Sequence, residues 1–370
     1  MKKTIVLLLI LIRITLAGAQ PLQPGFDIDE YIEMLKIMKK QFPGFTKKKF
    51  PEPQFSQLLY ASPETDLKNQ WNLWLYKSSI AVISIRGTTP NMPSWAENFY
   101  TAMVPASGMV RLNDSTTVKY RLASDSLAAV HAGWLVGMTS IAPDVEKHLK
   151  RLHDSLHIAN VIVTGHSQGG AISYLLTAYL RYRMKDGQLP SFRMKTYCSA
   201  APKPGNVYFA YDYELITGNM AFNVVNTADW VPQVPLSVET IDDLNPINPF
   251  VVATVGLSNL KFPKNLILKH VFNKVKKSAD KTRDYYLYYF GKKMYPIIAS
   301  YTPQLKEPAY YPSMDYVRGG NTIVFRPGKN YLKERPYTAK DISKNIFRHH
   351  FFSAYLMLAE AYKAQHTAMK

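Results

Sequence analysis

The segment that decides the fold reads Val161-Ile162-Val163-Thr164-Gly165-His166-Ser167-Gln168-Gly169-Gly170. An apolar run leads into a serine flanked by glycines, and the helix-forming stretch 171–183 follows, which predicts a strand, a sharp turn and a helix. Such a turn strains the backbone at its central residue and projects that side chain outward. The start of the helix places backbone N–H groups and a positive dipole nearby. The pattern therefore predicts that Ser167 is a nucleophile.

Strand and helix patterns alternate on both sides of this turn. Strand patterns occur at 79–85, 195–200, 222–226 and 321–325, and helix patterns at 143–153 and 171–183. This alternation predicts an α/β fold with a mainly parallel sheet and helices on both faces. Two further helix patterns run from Asp27, as N-cap with Glu30 completing a capping box, to Lys40, and from Phe352 to Ala364.

The N-terminus and one long segment fall outside this alternation. Residues 1–19 combine two early lysines with a short apolar run and small residues, which is typical of a secretory signal peptide cleaved after Ala19. Residues 20–370 are then predicted to form a single domain. Residues 240–320 are rich in Tyr, Lys and Pro, and we interpret them as a mostly helical insertion over the C-terminal edge of the sheet.

Charge and cysteine content limit the classes of partner. The formal net charge is +18, and removal of residues 1–19 takes away three basic residues and no acidic ones, which leaves +15. Such a charge favours an anionic partner such as a membrane surface, or it serves solubility alone. No nucleic-acid, metal or cofactor motif accompanies it, and nothing in the sequence requires a protein partner. Cys198 is the only cysteine, so we interpret it as a small core residue without a disulfide.

A serine nucleophile needs a base and an orienting acid. Asp229 directly follows the strand pattern 222–226, so its side chain should reach the C-terminal edge of the sheet. His349 and His350 both lie late in the chain, after the strand pattern 321–325, and either could be the base. Less well placed are Asp242, Asp243 and His270.

Several segments, taken in order, resemble the class 3 lipases, the fungal-type branch of the α/β-hydrolases. The turn segment 164–170 resembles the nucleophile elbow of that family, and Trp95 and Asn98 resemble the start of its lid. The other matching segments are Ile85-Arg86-Gly87-Thr88, His131-Ala132-Gly133-Trp134, Ala201–Asn206, Val224–Pro232, and His350 with Tyr355 five residues later. The resemblance covers roughly residues 75–235 and the C-terminus, and it implies an α/β-hydrolase fold.

The resemblance also implies roles for five residues. Ser167, Asp229 and His350 would form a catalytic triad. The backbone N–H groups of Thr88 and Gln168 would form the oxyanion hole.

Two positions depart from the family pattern. Gln168 stands where many members carry Leu, but the oxyanion needs only its backbone N–H. Lys203 replaces an Arg, which predicts a weaker contact because Lys cannot bind a carboxylate with two parallel hydrogen bonds. We interpret Arg86 as a structural ion-pair partner.

The implied function is that of a secreted, lipase-type carboxylic ester hydrolase that forms an acyl-enzyme on a lipid or another ester, without metal or cofactor. A phospholipase, an esterase of polysaccharide side chains and a non-catalytic surface-binding protein are the alternatives. Within residues 89–104, Trp95, Phe99 and Tyr100 are candidates for an apolar lid over an acyl groove.

The insertion contains an amphipathic pattern from Pro263 to about Lys277. Leu268, Val271, Phe272 and Val275 recur on one helical face, and Lys269, Lys274 and Lys277 lie off it. Such a helix either docks on an anionic membrane surface or packs its stripe on the protein's own core.

Overall fold

The computed structural model describes residues 21–42, 50–248, 264–336 and 345–367. The strands are β1 (Ser56–Ala61), β2 (Trp71–Tyr76), β3 (Ile80–Ile85), β4 (Met103–Pro105), β5 (Ser107–Arg111), β6 (Thr117–Arg121), β7 (Ala129–His131), β8 (Asn160–His166), β9 (Arg193–Ser199), β10 (Ala221–Asn226) and β11 (Asn321–Phe325). Seven of them form one sheet in the order β1-β2-β3-β8-β9-β10-β11, in which β3 to β11 are parallel. The predicted mainly parallel sheet is confirmed.

Helices cover both faces of this sheet, as predicted. They are α1 (Ile28–Lys39), α2 (Met92–Phe99), α3 (Ala132–Leu156), α4 (Gln168–Lys185), α5 (Val207–Thr217), α6 (Lys264–Leu287), α7 (Tyr295–Tyr301), α8 (Lys329–Glu334) and α9 (Phe352–Thr367). In β8, Val161 and Val163 join the core that contains α3 and α4, whereas Ile162 joins the core that contains α1 and α9. Both faces of the strand are therefore buried, which explains its continuous apolar sequence.

The helix predicted to begin at Pro143 begins well before it. α3 begins at Ala132, and the ring nitrogen Nδ1 of His131 caps it by accepting the N–H of Trp134 at 3.2 Å. Pro143 lies inside the helix, where it removes one backbone hydrogen bond. The helix continues through it because the turns before the proline bury apolar side chains such as that of Trp134.

The N-terminal helix α1 has the predicted cap but a different use for Glu30. The side chain of Asp27 accepts the N–H groups of Asp29 and Glu30 at 2.9 and 3.0 Å. The predicted capping box is wrong, because the Glu30 carboxylate lies 2.8 Å from Lys195 Nζ and accepts the Tyr197 hydroxyl at 2.6 Å. The buried ammonium of Lys195 needs this counter-charge, and the contact fastens α1 to β9.

The described part of the insertion contains α6, a π-helical turn at Tyr288–Lys292 and α7. It is attached to the chain after α2, where Ala102 donates its N–H to the carbonyl of Phe290 at 3.2 Å. None of the described helices is long and apolar enough to cross a membrane. Residues 1–19 lie outside the described residues, so the signal peptide stays a prediction, as does the single-domain organisation.

Candidate active site

β8 ends in a turn with Ser167 at its tip. Ser167 has φ 60° and ψ −130°, a backbone conformation that L-residues rarely adopt, and α4 begins at the next residue. The turn can close because glycines flank it, since a Cβ on Gly165 would lie 2.2 Å from the backbone of Gly169. The Ser167 N–H donates to the carbonyl of Ser199 at 2.9 Å. The strand, turn and helix that the sequence predicted are therefore present.

The loop after β10 places a carboxylate beside a histidine near the C-terminus. Asp229 is buried, and its Oδ2 accepts hydrogen bonds from His350 Nδ1 at 2.7 Å and from the Tyr355 hydroxyl at 2.8 Å. Its Oδ1 accepts the N–H of Val231 at 3.0 Å. An ionised carboxylate only accepts hydrogen bonds, so His350 carries its proton on Nδ1 and leaves Nε2 for another proton.

His166, which precedes Ser167, connects the turn to His350. Its Nε2 lies 2.7 Å from the His350 carbonyl oxygen, and its Nδ1 lies 3.0 Å from Ser199 Oγ. A carbonyl accepts, so Nε2 carries the proton and Nδ1 accepts the Ser199 hydroxyl, which in turn accepts from Tyr31. Burial and the nearby His350 lower the pKa of His166 well below its ordinary value, which suits this neutral ring. The contact holds His350 beside the turn, and no sequence pattern singled it out.

The other candidate acids and bases have different partners. His349 Nδ1 lies 2.9 Å from the Tyr331 hydroxyl, and the His349 carbonyl accepts Asn226 Nδ2. Asp242 pairs with Arg283, Asp243 accepts from Thr240, and His270 is exposed on α6. Among the described residues, no group of three or more His, Cys, Asp or Glu side chains could hold a metal ion.

The loop after β3 lies against the same turn. A Cβ on Gly87 would lie 2.6 Å from the His166 carbonyl, so this loop passes directly beside Ser167. The Thr88 hydroxyl accepts Asn98 Nδ2 at 2.9 Å, and Asn98 Oδ1 accepts Trp134 Nε1 at 3.0 Å. These bonds hold the Thr88 loop against α2 and α3, next to the N-terminus of α4 where the Gln168 N–H lies.

Arg86 and Lys203, the two basic residues that the sequence analysis singled out, have different environments. Arg86 lies 2.6 Å from Glu64 and also donates to the Lys68 carbonyl, in agreement with a structural ion-pair role. Lys203 forms no ion pair with any residue in the described ranges. Burial, together with the nearby charge of Arg318, lowers its pKa to about 8.

A family match covers this arrangement from β3 to just beyond the Asp229 loop. Residues 82–239 match the family described as lipase (class 3). Residues 82–239 belong to the class 3 lipase family. This result confirms the predicted family and the prediction of a lipase-like carboxylic ester hydrolase. The match ends before α6, so the insertion and His350 lie outside the matched residues.

Similar proteins include named lipases. A secreted mono- and diacylglycerol lipase of Malassezia globosa is 25% identical over 217 residues, which cover 58% of this chain and 67% of that protein. A secreted mono- and diacylglycerol lipase of Fusarium solani is 32% identical over 106 residues, 29% of each chain. The structure of Rhizomucor miehei lipase with its propeptide aligns with a TM-score of 0.42 and 21% identity, over 58% of this chain and 65% of that one.

The side chain of Gln168 binds α2 to the class 3 lipase elbow. Its amide nitrogen donates to the Ser94 carbonyl and its oxygen accepts the Ser94 hydroxyl, both at 3.2 Å. Glu97 lies beside it, completely buried, with Oε2 accepting Asn69 Nδ2 at 2.8 Å. Burial raises the pKa of Glu97 well above its usual range, although hydrogen bonds from Asn69 and Gln168 oppose the rise. The unusual Gln at position 168 was the only sequence signal for this network.

Glu97→Gln is expected to stabilise the protein near neutral pH. Because the folded-state pKa of Glu97 is raised above its unfolded value, the wild type loses stability as pH rises between the two values, by about 1.4 kcal/mol per pH unit. The variant amide has the same size and does not titrate. Urea unfolding at about pH 5 and about pH 8 should therefore show the variant gaining on the wild type at the higher pH.

Glu64→Gln is a matched control. The hydrogen bond from Arg86 lowers the pKa of Glu64, so the wild type gains on this variant only as pH rises to the unfolded value of about 4.3, and the difference should stay nearly constant between about pH 5 and about pH 8. An advantage of Glu97→Gln that is the same at both pH values would mean that Glu97 is ionised normally in the folded protein.

α2 carries the residues predicted as a lid. Trp95 is half-buried and its ring lies 6.3 Å from that of Phe99, which is half-exposed. Phe347 lies 6.2 Å from Trp95 and 6.0 Å from the ring of His350, so an apolar rim reaches the candidate site. Tyr100 is completely buried and its hydroxyl bonds to another tyrosine, so it packs in the core rather than facing solvent.

Proposed function

We propose that this class 3 lipase is a secreted serine ester hydrolase with Ser167 as nucleophile, His350 as base and Asp229 as orienting acid. The observation that carries the proposal is the Asp229–His350 hydrogen bond of 2.7 Å, held beside the Ser167 turn through His166. Among the described residues, none forms a hydrogen bond with His350 Nε2, so this nitrogen can accept a proton next to a strained serine at a helix N-terminus.

The reaction follows from these positions. Ser167 Oγ attacks the ester carbonyl while His350 Nε2 takes the hydroxyl proton. The carbonyl oxygen becomes negative and accepts hydrogen bonds from the backbone N–H groups of Thr88 and Gln168. His350 then protonates the leaving alcohol as the C–O bond breaks. Water, deprotonated by the same nitrogen, attacks the acyl-enzyme, and the acid leaves as the Ser167 hydroxyl is restored.

The substrate class and export are further parts of the proposal. Relatives from two fungi are named secreted mono- and diacylglycerol lipases, which supports a small glyceride ester as substrate. Their names and the pattern in residues 1–19 support export, with cleavage after Ala19. The apolar rim of Trp95 and Phe347 offers an apolar surface for an acyl chain beside His350.

We also propose that α2 stays in place during catalysis instead of opening as a lid. Gln168 holds Ser94, Asn98 holds both Thr88 and Trp134, and the buried Glu97 lies between them. Moving α2 as a unit would break these hydrogen bonds and expose the oxyanion loop. Trp95 and Phe99 would then serve as a fixed apolar rim.

Hydrolysis of an ester panel by the mature protein tests the proposal. Short-chain glycerides, long-chain glycerides and phospholipids are each assayed below and above their solubility limits. We expect glyceride hydrolysis that rises smoothly through the limit, because α2 is fixed. A sharp increase at the limit would contradict a fixed α2. Faster cleavage of phospholipid than of glyceride would contradict the substrate class, and no turnover on any ester would contradict the enzyme itself.

A further inference from the structure

The insertion helix α6 lies outside the class 3 lipase match and is anchored along one side. Tyr286 is buried in a cluster with Met103, and Arg283 Nη1 lies 2.9 Å from Asp242 Oδ2. The inner side of α6 is therefore turned toward β4 and toward the segment that contains Asp242.

A second side of α6, which we call its outward side, is apolar and solvent-exposed. Ile267, Val271 and Val275 follow one another at four-residue steps and are 60%, 53% and 66% exposed. Tyr285 continues the same side, and Tyr289 follows in the π-helical turn, at 53% and 58% exposure. The apolar stripe predicted from the sequence is therefore divided, because Val271 and Val275 face water whereas Phe272 is half-buried. The side chain of Leu268 and all of Pro263 lie outside the described residues.

Lysines occupy the same outward side. At 100° per residue, Lys274, Lys277 and Lys281 fall on the half of the helix that carries Ile267 and Val271, and all three are exposed. None of the three forms an ion pair with a residue in the described part of the chain. Lys276, on the inner side, pairs with Asp280 at 2.8 Å. The unpaired positive charges therefore point away from the protein, beside aliphatic side chains.

We propose that this outward side of α6 is a docking surface for an anionic lipid bilayer. Charge complementarity selects an anionic partner, because three lysines and a net charge of +18, or +15 without residues 1–19, repel cations. The aliphatic side chains select a lipid over a dissolved polyanion, since only a lipid surface removes them from water. Tyrosines suit the boundary because the ring is apolar and the hydroxyl remains hydrated. The docking deepens the proposed function, because a lipid surface supplies the ester substrate, but it does not depend on catalysis.

Vesicle binding by the full mature chain tests the docking surface separately from hydrolysis. All variants carry Ser167→Ala, so lipid turnover cannot affect the result. Binding is measured by sedimentation with phosphatidylcholine vesicles, with and without phosphatidylglycerol. We expect strong binding only with phosphatidylglycerol, and a loss of about 100-fold when Lys274, Lys277 and Lys281 are all changed to Gln.

A matched control separates local docking from net charge. Lys147, Lys150 and Arg151 are exposed on the second half of α3, which leads to the start of β8 and so lies toward the opposite edge of the sheet. Changing these three residues to Gln alters the net charge equally and should leave vesicle binding nearly unchanged. Equal weakening by the two triple variants, or unchanged binding by the α6 variant, would overturn the proposal.

An apolar variant separates a lipid surface from a dissolved polyanion. Ile267, Val271 and Val275 are changed together to Thr, which keeps β-branching and leaves helix propensity similar. We expect weaker binding to phosphatidylglycerol vesicles and unchanged binding to dextran sulfate. Full vesicle binding by this variant would mean that the lysines recognise anionic charge alone and would overturn the lipid assignment. Circular dichroism at 222 nm checks that every variant keeps the helix content of the parent protein, which includes α6.

Discussion

Ser167→Ala is expected to lower ester hydrolysis to near background, a loss of about 10⁴-fold or more. In the proposed mechanism, the change removes the oxygen that forms the acyl-enzyme, while the turn, Asp229 and His350 remain. The folded state should be unaffected, because the Ser167 hydroxyl makes no hydrogen bond to a described residue. Hydrolysis of a short-chain ester and the urea unfolding midpoint measure the two effects.

Ser173→Ala is the matched control for this substitution. Ser173 lies in α4, and its hydroxyl donates to the Gly169 carbonyl at 2.7 Å, within the same helix. Its loss should leave activity within about threefold, since this buried hydroxyl bonds only to a carbonyl of its own helix and takes no part in the proposed reaction. A Ser167→Ala protein that keeps more than roughly a tenth of the wild-type rate would contradict the nucleophile assignment.

His350→Asn is expected to be nearly as inactive as Ser167→Ala. The Asn amide can still donate to Asp229, but it has no nitrogen in the position of Nε2 to take the serine proton. His349→Asn should retain activity within about tenfold, because His349 Nδ1 contacts the Tyr331 hydroxyl and not Asp229. Steady-state rates of the two variants on one ester make the comparison.

The two variants together discriminate between the adjacent histidines. Loss of activity in His350→Asn alone would support His350 as the base, because the base must take the serine proton. An inactive His349→Asn beside an active His350→Asn would move the base by one position.

The elements around Ser167 could be predicted because their signals are local. A run of buried β-branched residues, two glycines and a helix pattern lie within one short segment, and the structure has β8, the turn and α4 there. Predictions from local sequence were wrong where a residue distant in the chain determined the local structure. Pro143 lies inside α3 because the preceding turns are buried against the core, and Glu30 turns away from its helix end toward Lys195.

The network behind the oxyanion loop shows the same limit. Gln168 stood out only as a departure from the family, and its use by Ser94 depends on α2 packing against the elbow. Glu97 gave no signal, because its burial exists only once α2 and α3 meet. The same holds for α6. Sequence periodicity predicted an amphipathic helix there, but which side faces solvent depends on the contacts of Tyr286 and Arg283.

The sequence by itself determined the strand–turn–helix at Ser167, the parallel α/β sheet and the position of Asp229 after a strand, because periodicity and turn chemistry act over a few residues. It left His349 and His350 open until a family resemblance favoured one of them. Only the tertiary structure decided that His350, 121 residues from Asp229, meets its carboxylate, while His349 turns to Tyr331. The physical reason is that adjacent residues share the same local pattern, whereas a hydrogen bond between distant residues forms only where the packed sheet and helices bring the two atoms together.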